Sequence, residues 1–147
     1  MEFYFSFRAI RKGTFYFMAK ILLVDHTSGM RKYVREILEG SVSNHIYIEA
    51  SNGLEAINQY LNHSPDLVIM EIILPYLDGI EALKKILDFH SEAKVIIISA
   101  FFTSIIEKEV LELGARFYLR KPFQNANIIK CVQMLIYDTQ LKDLSHG

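Results

Sequence analysis

The chain has 147 residues, 51% hydrophobic and 22% charged, which is the length and composition of one globular domain rather than of a disordered tail. Sixteen Lys and Arg residues against 17 Asp and Glu residues leave a net charge of −1, which excludes a basic surface for wrapping nucleic acid or coating an anionic membrane. No run approaches the ~18 consecutive apolar residues of a membrane-spanning helix.

Residues 1–18 differ from the rest of the chain and are predicted to be an N-terminal extension. They are rich in aromatic residues and carry more basic than acidic side chains. Two interpretations stay open: a true start at Met18, which leaves a loosely ordered segment before it, or an arm that docks on a partner or a surface. Charged residues at 8–13 and 20 interrupt the apolar runs, so no export signal is expected. Together with a single cysteine, this predicts a cytoplasmic protein.

From Ala19 onward, short apolar runs alternate with longer amphipathic segments. The runs are residues 21–24, 46–48, 67–70 and 95–98, with a shorter aromatic run at 117–119. Most of them are continuous rather than alternating, which is typical of strands that are buried on both faces of a sheet.

The segments between these runs have helical periodicity, with apolar residues three and four positions apart. They centre on residues 30–38, 54–61, 80–87 and 105–113, and a last helix is predicted from 128 to about 138. Gly114 suits a helix stop, and Asp78 suits a turn and a helix cap. The apolar face of the last helix is wide enough to favour packing against a second copy of the chain, and Cys131 on it is expected to be a buried thiol.

Five strands that each precede a helix predict an α/β fold, a doubly wound five-stranded parallel sheet with helices on both faces. We assign the domain to residues 19–138 and a C-terminal tail to 139–147. No linker or repeat divides the domain, so a stand-alone domain without an output domain is expected.

Polar residues follow the strands, at the sheet edge where open α/β sheets bind their ligands. They are Asp25 and His26 after the first strand, Glu71 after the third, Ser99 after the fourth, and Arg120 with Lys121 after the fifth. We expect the two carboxylates, the imidazole, the Ser99 hydroxyl and the Lys121 ammonium to converge on one pocket that suits an anion held beside a cation.

These residues, with the segments around them, resemble the motifs of a known family. The segments ILLVDHTSGMRKYVREILEG, DLVIMEIILPYLDGIEAL, VIIISA and GARFYLRKPF stand in the order of the motifs of two-component response regulator receiver domains, and the chain resembles the chemotaxis-regulator type. The resemblance covers about residues 19–138. It implies the flavodoxin-like fold with strand order 2-1-3-4-5 and a role in phosphorelay signalling rather than an enzymatic one.

In the family, an aspartate at the end of the third strand accepts a phosphoryl group, with a divalent cation that neutralises the developing charge. By resemblance, Glu71 stands at the acceptor position, Ser99 and Lys121 belong to the phosphoryl pocket, and Tyr118 is the switch aromatic. Asp25 and His26 stand where the family has its pair of acidic metal-binding residues.

Two departures from the family pattern indicate a degenerate site. Glu71 is one methylene longer than the usual aspartate, and a displacement of roughly 1 Å costs about 10²-fold in rate. His26 offers an imidazole where Mg²⁺ prefers oxygen, and its alternative interpretation is a solvated loop residue that binds no metal. We therefore predict weak Mg²⁺ binding, little or no phosphorylation, and a Glu71 carboxylate paired with Lys121 that partly mimics a phosphorylated acid.

Four other interpretations stay open. In the first, Glu71 is only a strand-end acid paired to Lys121. In the second, Glu71 or a neighbour is an active phosphoacceptor. In the third, Asp25, His26 and Glu71 form a zinc or manganese site. The fourth is a flavodoxin-like cofactor protein, although residues 25–29 contain few of the Ser, Thr and Gly residues that cradle a flavin phosphate.

Aromatic residues near the pocket predict a partner surface. Phe101 and Phe102 follow Ser99, and with Tyr118 they are expected to cap the pocket or to form an exposed patch. The expected partners are a histidine kinase, a phosphotransfer protein or another regulator, with a homodimer as a further option.

Overall fold

The computed structural model describes residues 8–11, 14–41, 44–101 and 103–145. Its strands are β1 (Arg8–Arg11), β2 (Thr14–Phe17), β3 (Lys20–Val24), β4 (Ile46–Ala50), β5 (Leu67–Met70), β6 (Val95–Ser99) and β7 (Phe117–Arg120). Its helices are α1 (Ser28–Glu39), α2 (Gly53–His63), α3 (Gly79–Phe89), α4 (Ser104–Leu113) and α5 (Asn125–Ser145).

Strands β3 to β7 form the parallel sheet that the apolar runs predict. The spatial order is β4-β3-β5-β6-β7, which is the order 2-1-3-4-5 when the five strands are counted from β3. The register pairs Val24 with both Ala50 and Met70. The residues that follow β3 and β5 therefore emerge side by side at one edge of the sheet, and the predicted fold class is confirmed.

Strands β1 and β2 lie in the segment that the sequence assigns to the N-terminal extension. They pair antiparallel, with Arg8 opposite Phe17 and Arg11 opposite Thr14, and form a separate two-stranded sheet. This part of the extension has regular secondary structure, which the interpretation as a loosely ordered segment did not include.

Two apolar clusters fill the space on the two faces of the sheet. Alternate strand residues point to opposite faces, so Leu22 packs in one cluster and Leu23 in the other. Helices α2, α3 and α4 cover the first face, and α1 and α5 cover the second. The buried faces of α1 and α2 are narrower than the periodicity predicts. Three of the apolar residues assigned to them, Tyr33, Leu54 and Leu61, are exposed.

Helix α5 differs from its prediction in two respects. It continues to Ser145 instead of ending near Asp138, since residues 139–145 contain no Gly or Pro to stop it. Its wide apolar face, including Cys131 and Leu135, is buried against this chain's own sheet. The face therefore gives no argument for packing against a second copy.

Helix caps and close backbone approaches hold the loops at the carboxyl edge of the sheet. Asp78 caps α3 by accepting a hydrogen bond from the N–H of Glu81 at 2.9 Å, as predicted. A Cβ on Gly79 would lie 2.2 Å from the carbonyl oxygen of Glu71, so only glycine lets α3 begin this close to the end of β5. Across the described residues, we find no helix with the length and apolar character to span a membrane.

Candidate functional site

The ends of four strands bring Asp25, Glu71, Ser99 and Lys121 together, as the sequence predicts. Asp25 and Glu71 are each only 6% exposed, and Ser99 is fully buried. Buried carboxylates require hydrogen bonds or ion pairs. The partners of these two acids therefore define the site.

Glu71 uses both carboxylate oxygens. Its Oε1 accepts hydrogen bonds from the backbone N–H groups of Ile72 and Ile73 at 2.9 and 3.1 Å and from Ser99 Oγ at 2.5 Å. Its Oε2 accepts from Lys121 Nζ at 2.6 Å. The predicted Glu71–Lys121 pair is thus present, and the hydroxyl of Ser99 completes it.

Lys121 bridges two carboxylates rather than one. Its Nζ also donates to Oδ2 of Asp25 at 3.0 Å, a pair that the sequence analysis did not predict. Burial lowers the pKa of Lys121, but the hydrogen bonds and charges of Glu71 and Asp25 outweigh this effect, and the net pKa is raised. The ammonium is therefore held in its charged form. The peptide bond between Lys121 and Pro122 is cis.

Asp25 is oriented by two neighbours from α1 and the loop before it. Its Oδ1 accepts from the N–H and the Oγ1 of Thr27 at 2.9 and 2.7 Å, and its carbonyl accepts from Arg31 Nη1 at 2.6 Å. Arg31 is in turn paired with Glu49 on β4 at 3.0 Å. Burial raises the pKa of Asp25, but the bonds from Thr27 and Lys121 lower it to a net value below normal.

Sequence reasoning missed the roles of Thr27 and Arg31. One signal was available for Thr27, because a hydroxyl residue two positions after an aspartate often forms a local side-chain hydrogen bond with it. Nothing in the sequence pairs Arg31 with Glu49, because that contact depends on how α1 lies over β4.

His26 does not join the site as a ligand. Its side chain is 56% exposed, and its Nδ1 lies 3.6 Å from Oδ1 of Asp25, beyond hydrogen-bond distance. The described part of the chain contains no group of three His, Cys, Asp or Glu side chains placed to hold a metal ion. The exposure of His26 fits a solvated loop residue rather than a ligand, and these distances give no support to the zinc or manganese site; weak Mg²⁺ binding at Asp25 stays a prediction.

A divalent cation does not fit the donor set in this arrangement. The ammonium of Lys121 already lies between the Asp25 and Glu71 carboxylates, and every carboxylate oxygen has a proton donor. The cavity that these three side chains help to line has a volume of about 20 Å³, room for about one water molecule. Most of the other side chains that line this cavity are apolar, so it is not itself a binding site for hydrated Mg²⁺.

Tyr118 and Phe101 connect the pocket to the loop after β6. The Tyr118 side chain is half-buried against the core, and its hydroxyl donates to the carbonyl of Phe101. The N–H of Phe101 donates to Ser99 Oγ at 3.1 Å, while its ring is 49% exposed. The Phe101 ring is therefore exposed, whereas Phe102 lies outside the described residues.

The fold and this site define a receiver-type domain, and comparison with known proteins shows its family. Residues 21–133 match the model of the response regulator receiver domain. The chain belongs to this family of two-component signalling proteins, and the resemblance stated from its sequence is confirmed.

Relatives include chemotaxis proteins of the CheY type. The chemotaxis protein CheY of Halobacterium salinarum is 40% identical over 116 residues, which cover 78% of this chain and 95% of that protein. CheY of Bacillus subtilis is 36% identical, with 77% and 93% covered. Among solved structures, one chain of the CheX-CheY-BeF3-Mg+2 complex from Borrelia burgdorferi is similar, with a TM-score of 0.76, 31% identity, and 82% and 90% covered.

Proposed function

We propose that this receiver domain signals by binding other proteins of a phosphorelay, with little or no phosphorylation of its own and no enzymatic activity. The main observation behind this proposal is that the Glu71 carboxylate accepts hydrogen bonds from Ser99 Oγ at 2.5 Å and from Lys121 Nζ at 2.6 Å. By the resemblance, these are the two groups that contact the oxygens of a phosphoryl group. The longer Glu71 side chain carries an anion to them without any transfer reaction.

The Glu71 carboxylate mimics a phosphoryl group only in part. A carboxylate has two oxygens and one charge, whereas a phosphoryl group has three oxygens and a charge of about −1.5 to −2. Oε1 of Glu71 also accepts from the N–H groups of Ile72 and Ile73, so it is shared among three donors. We therefore propose a partly activated state.

A chain of hydrogen bonds supports a link from Glu71 to the partner surface. Ser99 Oγ donates to Glu71 and accepts from the N–H of Phe101, and the Phe101 carbonyl accepts from the hydroxyl of Tyr118. The Glu71 charge is thereby connected to the loop that carries the exposed Phe101 ring. Ile105, at the start of α4, is also exposed beside this loop.

The proposed partners are a histidine kinase, a phosphotransfer protein or another regulator. One similar structure is, by its name, a complex of a CheY with CheX, so a receiver of this type has been seen bound to another protein. In this chain, Phe101 and Ile105 offer apolar anchors for such a contact.

Intact mass spectrometry after incubation with Mg²⁺ and a small phosphodonor tests the proposal. We compare the wild type with the double variant Glu71→Asp and His26→Asp, which restores the family's acids at both positions. No phosphoryl adduct is expected on the wild type, and a detectable adduct is expected on the double variant.

The single variants separate the two departures, because Glu71→Asp restores the acceptor and His26→Asp restores only an acidic metal position. A wild type that is labelled efficiently would show an active phosphoacceptor, the alternative function. If the double variant also stays unlabelled, adding Phe101→Ala tests whether that ring blocks the phosphodonor.

A further inference from the structure

We propose that the ammonium of Lys121 is the resident cation of this pocket, held between the Asp25 and Glu71 carboxylates in the role that a divalent ion has in metal-dependent sites. The inference rests on the proposed function, because it explains how the pocket holds two buried carboxylates together without a metal. It also assigns a role to Asp25, which is retained although its acidic neighbour is replaced by His26.

The distances and the burial support a preorganised binding site for the Lys121 ammonium, which we call the cradle, rather than an ion pair on the surface. Lys121 Nζ lies 3.0 Å from Asp25 Oδ2 and 2.6 Å from Glu71 Oε2, and both carboxylates are buried. The other oxygen of each carboxylate is occupied separately, by Thr27 for Asp25 and by Ser99 and backbone N–H groups for Glu71. One oxygen of each acid is thereby directed to the same ammonium.

The charges favour one tethered cation over a free divalent ion. Two carboxylates and one ammonium leave a single net negative charge, and the guanidinium of Arg31 lies against the Asp25 carbonyl at 2.6 Å. A divalent ion entering beside Lys121 would meet like charges at short range in a site with little water to screen them. Entry therefore requires that Lys121 leave both carboxylates.

This competition predicts a gain of metal binding when the lysine is removed. Lys121→Met keeps a flexible apolar chain but leaves two buried like charges side by side, an arrangement that strongly favours uptake of a cation or a proton. Lys121→Arg keeps the positive charge. Lys130→Met, at an exposed position of α5, removes a lysine of the same chain from outside the pocket.

The experiment is a titration of each full-length protein with MnCl₂ alone, followed by paramagnetic broadening of the backbone amide signals of Thr27 and Ile72. We expect no selective broadening in the wild type, Lys121→Arg or Lys130→Met. Lys121→Met should bind Mn²⁺ at least ~10-fold more tightly than the wild type, which corresponds to about 1.4 kcal/mol. Equal affinity of the wild type and Lys121→Met would overturn the proposal.

If the Lys121→Met variant does not fold, a second measurement on other proteins tests the proposal. In the wild type and in Asp25→Asn, the ¹³Cε signal of Lys121 is followed against pH. Because Asp25 contributes to the raised pKa of Lys121, that pKa should fall in Asp25→Asn, and an unchanged pKa would contradict the cradle.

The two proposals fail separately. Wild-type protein that binds Mn²⁺ at the pocket but takes up no phosphoryl group would remove only the resident-cation proposal. Wild-type protein that is labelled by the phosphodonor while Lys121→Met gains Mn²⁺ affinity would remove only the proposed function.

Discussion

Ser99 Oγ donates a hydrogen bond to Oε1 of Glu71 at 2.5 Å, and both residues are buried. The same hydroxyl accepts from the N–H of Phe101. Ser99→Ala removes both bonds, and the unsatisfied buried groups should lower the free energy of unfolding by about 1–3 kcal/mol. Ser99→Thr, which keeps a hydroxyl, should lose less.

Chemical denaturation with urea measures this difference, and amide hydrogen exchange locates it. Exchange of the Phe101 amide should accelerate in Ser99→Ala more than in Ser99→Thr. Identical unfolding curves for wild type and Ser99→Ala would mean that the contact contributes nothing to stability.

The Asp25–Thr27 contact should make part of the stability depend on pH. The pKa of Asp25 is lowered in the folded state, so the folded protein binds fewer protons than the unfolded chain in the acidic range. The resulting stability is fully present above the unfolded pKa of about 3.8 and is lost as the pH falls through the folded pKa.

Thr27→Val removes the hydroxyl bond to Asp25 without removing a helix cap, because the Thr27 side chain makes no cap hydrogen bond to α1. It should destabilise the protein near neutral pH and much less at a pH below the folded pKa of Asp25, where that carboxyl is protonated. Thr27→Ser is the control that keeps the hydroxyl. A Thr27→Val effect of the same size at both pH values would show that the Asp25 charge is not involved.

Gly79 and Gly29 form a matched pair for testing the close approach at the end of β5. A Cβ at Gly79 would meet the Glu71 carbonyl at 2.2 Å, whereas a Cβ at Gly29 would have nothing within 4 Å. Gly79→Ala should destabilise the protein by about 1–3 kcal/mol. Gly29→Ala, within α1, should instead stabilise it by about 0.5–1 kcal/mol. Thermal unfolding of both variants checks these opposite signs.

Tyr76 is held in the left-handed backbone region, with φ of 66°, and its side chain is 85% exposed. This conformation costs a residue with a Cβ roughly 1–2 kcal/mol, and asparagine tolerates it better. Tyr76→Asn should raise the free energy of unfolding by up to about 1 kcal/mol, as measured with urea.

Tyr76→Ala distinguishes backbone strain from an effect of exposing the ring. It removes the aromatic ring but keeps the Cβ, so it should give no such gain. If Tyr76→Ala stabilises the chain as much as Tyr76→Asn does, the backbone explanation is wrong.

The sequence predicts the five-stranded sheet closely, because strands buried on both faces leave continuous apolar runs that few other structures produce. Our interpretation of residues 1–18 did not include the antiparallel pair of strands β1 and β2. Lys12 and Gly13 stand between the two short runs, and this pair is a weaker turn signal than the Asn-Gly or Asp-Gly pair of a tight hairpin.

At the site, the sequence predicts which residues meet but not how they pair. Strand ends place Asp25, Glu71 and Lys121 at one edge, yet the position of the Lys121 ammonium between both acids depends on side-chain reach and on the loop after β7. The same holds for Arg31, whose contacts with the Asp25 carbonyl and with Glu49 depend on how α1 packs against the sheet. Periodicity carries no information on such contacts.

The anion at the centre of this site is part of the polypeptide itself. An acyl phosphate hydrolyses and has to be made again, but the Glu71 carboxylate persists for as long as the molecule exists. Under the proposed function, no phosphatase could reset this signal. Its duration would be set by synthesis, by proteolysis and by the abundance of competing partners, so that the cell would regulate the number of copies rather than their chemical state.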